Sequence, residues 1–258
     1  MGLLDLPAPV FDLIHRALQG RLPAFAELAL WAAMSACASM AIYRRISPQA
    51  RLHALAAEIR VLSQKLAGYD GGFAGLRSLI GRVLALNLEH LAKTFAPALA
   101  SSLPLLFVLP WLSDTFEYAP PTPGSTVTVT AAPIASVATQ YEWVPPQPAI
   151  SGAHSAWRIA WPSAERPLLL RAIGDRELLR LPLAKPVAVV QVRSSWNWLI
   201  GNPAGYLPQD GPIETVAFDL PPLEIVHFGP SWARGWLPYF LCCAIACSLL
   251  LKRLWRIE

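Results

Sequence analysis

Little in this chain can carry bond chemistry. Its 258 residues hold no G-x-S-x-G, H-E-x-x-H, Walker or dinucleotide-binding pattern, so the common hydrolase, metalloprotease and nucleotide templates have no anchor. The five histidines, His15, His53, His90, His154 and His227, are scattered over unlike segments. Cysteine is scarce too. Cys37, Cys242, Cys243 and Cys247 all lie in apolar runs and none falls in the polar, proline-rich stretch 118–230, which excludes a disulfide scaffold there. With no histidine or acid beside the cysteines near the C-terminus, they read as packing residues, and no metal or cofactor is expected. Charge is sparse as well: 15% of residues are charged against 54% hydrophobic, and mean hydropathy is +0.40. That balance excludes an ordinary soluble domain. The start, MGLLDLPAPVF, lacks a basic region, a long apolar run and a cleavage site, so the first anchor is expected to be retained.

What is present is three apolar runs separated by two unlike inserts. Residues 22–43 read as a first transmembrane span (TM1), closed by Tyr43, Arg44 and Arg45. Glu27 lies near its far end and is expected to snorkel to the interface. Residues 94–117 read as a second span (TM2), and 231–258 as a third (TM3) with a basic tail, Lys252, Arg253 and Arg256. Ahead of them, 1–21 is amphipathic, with Val10, Phe11, Ile14 and Leu18 on one face. It suits either an interfacial helix on the outer leaflet or a helix packed on the protein's own domain.

Between the first two spans, 44–93 carries Leu52, Leu55, Ile59, Leu62, Leu66 and Tyr69 three and four apart, the spacing of a coiled-coil seam. GYDGG then breaks the pattern, and Leu76, Leu79, Val83 and Leu86 resume it, which predicts an antiparallel helical hairpin. Eight Lys/Arg against three Asp/Glu lie between Arg44 and Lys93, whereas seven face ten between Asp114 and Pro230. The positive-inside rule therefore puts the hairpin and C-terminus in the cytosol and the N-terminus and 118–230 outside. The net charge of +4 is explained by topology and argues for no nucleic-acid binding beyond a ribosome contact.

From Tyr118 the texture turns proline-rich and β-branched. Short strands are expected at 126–130, 136–143, 156–161, 168–173, 178–181, 187–192, 215–220 and 224–228, a compact β-sandwich. Trp143, Trp157, Trp161, Trp196 and Trp198 are its candidate core or, alternatively, its partner surface. The fold class is thus a three-span α-helical membrane protein with a helical hairpin and an inserted all-β sandwich.

The second span is unusual in carrying Pro97, Pro104 and Pro110, each of which removes a backbone donor inside lipid. With Ser101 and Ser102, and with Ser35, Ser39 and Thr94, these residues are candidates for a polar furrow; tight packing of small residues is the alternative. PLLFVLP at 104–110, followed by Trp111 and preceded by Pro97 and a basic hairpin, resembles the YidC-type membrane-protein insertase superfamily, and the order of parts resembles its three-span relatives. The resemblance implies insertion or assembly of client membrane proteins without covalent catalysis. It also implies a ribosome or client at the basic surface Arg44, Arg45, Arg51, Arg60, Arg77 and Arg82, although those arginines equally serve topology and lipid headgroups. The expected setting is a bacterial inner membrane, with lipid as a constant partner. A second expectation is a structural subunit of an envelope complex that docks partners through the β-domain, and a third is an external enzyme tethered by the spans.

Overall fold

The computed structural model describes residues 2–133, 141–150, 156–172 and 176–255. It divides into two compact units: one of 1–25 with 107–239, the other of 26–106 with 240–258. Three helices, α2 (Ala24–Ile46), α4 (Phe73–Phe116) and α5 (Trp236–Trp255), are long and apolar enough to cross a membrane.

In the helical unit, α3 (Gln49–Ala67) and the start of α4 form the hairpin. Leu52 and Leu55 are buried, and Ile59, Leu62, Leu66 and Tyr69 are half-buried, as are Leu76, Leu79, Val83 and Leu86 across the turn. Polar bonds fix the register. Arg51 Nη2 lies 2.8 Å from Glu89 Oε1, and Arg82 Nη2 lies 3.3 Å from Glu58 Oε1. Both pairs are equidistant in sequence from Asp70, as an antiparallel hairpin folded at GYDGG requires. The Tyr69 ring lies over Gly75: a Cβ there would meet its hydroxyl at 1.9 Å and would have to displace that side chain. The guanidinium of Arg44 sits 5.7 Å from the centre of the Trp255 ring, so the basic ends of α2 and α5 lie together.

The sequence places the hairpin's second helix and the proline-bearing span in separate segments. In the structure they are one helix, unbroken from Phe73 to Phe116. At 1.5 Å per residue its 44 residues rise about 66 Å, twice the ~30 Å of a hydrocarbon core, so one crossing would use only about half of its length.

The other unit holds the β-domain, the N-terminal helix and the adjoining ends of α4 and α5. Seven strands, β1 (Thr126–Pro133), β2 (Tyr141–Val144), β3 (Ala156–Ala160), β4 (Leu168–Ala172), β5 (Arg176–Leu181), β6 (Val189–Gln191) and β7 (Ile213–Phe218), make two antiparallel sheets, ordered β3-β1-β7-β6 and β2-β4-β5. Alternate side chains of both sheets, Val127, Val129, Ile159, Leu170, Leu181, Val190 and Val216 among them, meet in one core. Each such burial is worth about 1.5–3 kcal/mol. Residues 136–140, 173 and 256 of the expected elements, and His154, lie outside the described residues.

Two expectations are corrected here. Residues 224–228 are not a strand: the Ile225 and Val226 amides both bond the carbonyl of Arg234, which folds them into the turn before α5. And the face Val10, Phe11, Ile14 and Leu18 of α1 (Ala8–Leu18) is inward only in part: Phe11, Ile14 and Leu18 are half-buried, joined by Asp12 and His15, while Val10 is exposed; Asp12 is drawn in by its bonds to Trp111 and Lys185. Gly20, with φ of 79°, ends this helix in the left-handed conformation glycine accepts.

Candidate functional site

The three prolines of α4 withdraw the intrahelical donor from the carbonyls of Lys93, Ala100 and Leu106. The hydroxyls nearby do not form a free polar strip. Ser101 Oγ donates to the Ala98 carbonyl at 2.8 Å, Ser102 Oγ to Leu99 at 2.7 Å and Thr94 Oγ1 to His90 at 2.8 Å. Back-bonding of this kind satisfies a hydroxyl within its own helix. Nor do the candidates share one face. At 3.6 residues per turn, Pro97, Ser101 and Pro104 continue the line of the hairpin's inward residues Leu79, Val83 and Leu86, whereas Ser102 falls on the opposite side. Pro110 lies off both lines.

Helix α2 is different. Glu27, Leu28, Trp31, Ala32, Ser35 and Ala36 are buried. Glu27 is only 3% exposed and accepts a 3.3 Å hydrogen bond from Trp31 Nε1, so it turns inward and does not snorkel. About two and three turns beyond Glu27, the buried hydroxyls of Ser35 and Ser39 have no hydrogen-bond partner. A buried hydroxyl left unpaired costs about 1–3 kcal/mol. These two serines, which the sequence groups with those of α4, are the side chains in this set with unused hydrogen-bonding capacity.

The outward side of α4 carries a row absent from the sequence reading. Phe73, Ile80, Leu84, Leu88, Leu91, Phe95, Leu99, Leu103 and Leu106 are all exposed, and successive members after Ile80 are three or four residues apart. The signal was available in the sequence, since a helix with apolar residues on two faces has one face too many for a two-helix hairpin. The row begins beside Arg77 and Arg82 and continues without a break into the proline-bearing segment. Arg44, Arg45, Arg51, Arg60, Arg77 and Arg82 are all exposed; Arg51 and Arg82 are engaged by Glu89 and Glu58.

In the β-domain the five tryptophans separate cleanly. Trp143 (2% exposed), Trp157 and Trp161 are core residues and therefore form no partner surface. Trp143 stacks edge-on to Trp157 at 6.0 Å, and Trp161 to Phe218 at 6.2 Å. Their rings fill the gap between two sheets that glycine and β-branched residues alone would leave open. Trp196 and Trp198 lie on an exposed turn, 75% and 60% accessible.

Below them, Asp12 organises a polar knot missed at the sequence level. Its Oδ1 accepts bonds from Trp111 Nε1 at 2.8 Å and from Lys185 Nζ at 2.9 Å, joining α1, the end of α4 and the β6 approach. Lys185 also sits 5.7 Å from the centre of the Trp111 ring, and Phe11 and His15 pack edge-on against it. Partial burial alone would push the Asp12 carboxyl up, but the bonds from Trp111 and Lys185 and the charges of Lys185 and Arg16 outweigh it and hold the pKa below the ordinary 3.8. A cavity of about 430 Å³ opens alongside, lined by Ser113, Asp114, Glu117 and Tyr118 and by 186–189, Gln191, Ser194, Trp196, Asn197 and 199–203. The Ser113 hydroxyl donates to Glu117, and burial, reinforced by the Glu117 charge, raises the Tyr118 phenol. Among the described residues no three histidine, cysteine or acidic side chains cluster to hold a metal.

No family model matches this chain, and no curated protein or solved structure matches it either.

Proposed function

We propose that this protein is a membrane-embedded insertion or assembly factor that guides apolar segments of client proteins from the cytosolic face into the bilayer, by contact and without bond chemistry. The observation that carries the reading is the exposed row on α4. A contiguous apolar surface of this extent on a basic, water-facing hairpin marks a binding site for apolar chain, and here the same surface runs on into the span.

A client helix sliding along that row exchanges water for side chains before it exchanges side chains for lipid. The cost of moving its polar groups through hydrocarbon is several kcal/mol for each one left unsatisfied. The unpaired hydroxyls of Ser35 and Ser39 lie buried on α2 and would become partners for such groups once a client parts α2 from the neighbours that cover them. The proposal keeps the YidC-type resemblance as its starting point and moves the polar element from the α4 serines to α2. The basic ends of α2 and α5 lying together favour the cytosolic placement of hairpin and C-terminus in a bacterial inner membrane. The exposed Arg60 and Arg77 remain free to meet a ribosome or an acidic client flank. The alternative, a scaffold subunit docked through β-domain tryptophans, loses three of its five proposed contacts to the core.

The test is insertion of a single-span substrate into proteoliposomes holding the purified protein. Leu84→Lys/Leu88→Lys, which leaves the buried seam untouched, is expected to lower insertion severalfold while the protein stays helical. Unchanged insertion, or recovery of the native protein only as a stoichiometric member of a fixed complex, overturns the proposal in favour of the scaffold.

A further inference from the structure

Next to the aromatic knot, the turn Ser195–Trp198 raises Trp196 and Trp198 into solvent on a protein whose other β-domain tryptophans are packed away. The chain start lies against it. The Leu4 amide bonds the Leu199 carbonyl at 2.9 Å, and the Asp5 carboxylate accepts the Gly2 amide at 2.7 Å and the Gly201 amide at 2.8 Å. Gly2 is wedged so closely that a Cβ would stand 2.6 Å from the Leu199 backbone. Turn and N-terminal segment are therefore one piece.

That piece carries a second apolar surface. Leu6, Val10 and Leu13 are 57–69% exposed and fall on the side of the N-terminal helix opposite Phe11 and His15, which grip Trp111. Through Trp111 and Phe116 the helix is fixed to the last turns of α4, and the 194–203 loop shares its cavity wall with Ser113 and Glu117 of the same helix end. Phe228 and Trp232, 80% and 75% exposed, sit just ahead of α5. All these groups thus gather where spans leave the bilayer, the depth at which tryptophan is favoured.

We propose that the Trp196–Trp198 turn and the outer face of the N-terminal helix insert together into the lipid leaflet at the outer ends of α4 and α5, as an in-plane anchor for the β-domain. The occupant is lipid. The surface is continuous with span ends, and exposed Arg16 and Arg21 flank the apolar row where phosphate headgroups would lie. The inference rests on the membrane spans and is independent of client insertion.

Full-length protein in phosphatidylcholine vesicles, with acyl chains brominated near the glycerol, gives the test. The emission removed by Trp196→Phe/Trp198→Phe is expected to be quenched roughly twofold or more by bromines ~5–10 Å below the headgroups, and to resist aqueous iodide. Leu13→Trp should add a signal quenched in the same way, a check that does not depend on changing the turn. Emission open to iodide but not to bromine, or shielded from both as by a covering protein, overturns the proposal.

Discussion

Removing the carboxylate of Asp12 should release the N-terminal helix without unfolding the β-domain. The side chain accepts one charge-assisted bond from Lys185 and one neutral bond from Trp111. In a fully buried site these would contribute about 1.5–3 and about 1 kcal/mol. Asp12 and Lys185 are 31% and 24% exposed, so water replaces part of what Asp12→Ala deletes and the loss settles near ~2 kcal/mol. That is about a 30-fold rise in the open population of the helix. Hydrogen exchange of peptides from 8–18, measured on protein in nanodiscs, reads this population directly when closing is fast. Asp12→Asn keeps an acceptor but loses the charge, and should fall between. Exchange in Asp12→Ala indistinguishable from wild type would refute the claim that this carboxylate holds the helix down.

The same group sets a pH dependence. Its folded pKa lies below the ordinary 3.8, so its stabilisation is complete above that value and fades as pH falls through the lowered one; exchange in 8–18 should accelerate only in that acid range, and not in Asp12→Ala. In the β-domain, Trp143→Ala empties a fully enclosed site and should cost about 3–5 kcal/mol, whereas Trp196→Ala should leave the domain's melting within ~0.5 kcal/mol of native. Leu55→Ala, at a position with no exposure, should cost about 2–4 kcal/mol and be seen as faster exchange across the hairpin. Ser35→Ala should leave stability unchanged or raise it by up to about 1 kcal/mol, since it deletes an unpaired hydroxyl, yet should reduce client insertion; a clear destabilisation would mean that the hydroxyl has a partner.

Much of the architecture is legible in the sequence because its causes are local. Apolar length marks α2 and α5, three-and-four spacing marks Leu52 through Tyr69, and β-branched residues mark β1 and β7. What escapes has causes farther away. The polar-to-apolar change near Lys93 reads as a boundary, but a helix needs no break where its surroundings change, so the hairpin and the span merge, and the helix continues through Pro97, Pro104 and Pro110 as well. Ile225 and Val226 have strand propensity, and a carbonyl at Arg234 claims their amides instead. Asp12 looks like a solvent residue until Lys185, 173 positions on, comes into contact. Among the candidate site residues, type was legible and role was not: Ser101 and Ser35 are both small hydroxyls in apolar helices, and only the bond that Ser101 makes to the Ala98 carbonyl separates a satisfied group from an unpaired one.

The most direct measurement uses stalled nascent membrane proteins of increasing length and a photoreactive residue placed in turn at Leu84, Leu91 and Leu99. The account predicts that crosslinks to the emerging apolar segment move in that order as the chain lengthens, from hairpin to span. Crosslinks that stay at one position for every length, or reach lipid and a resident subunit alone, would contradict it.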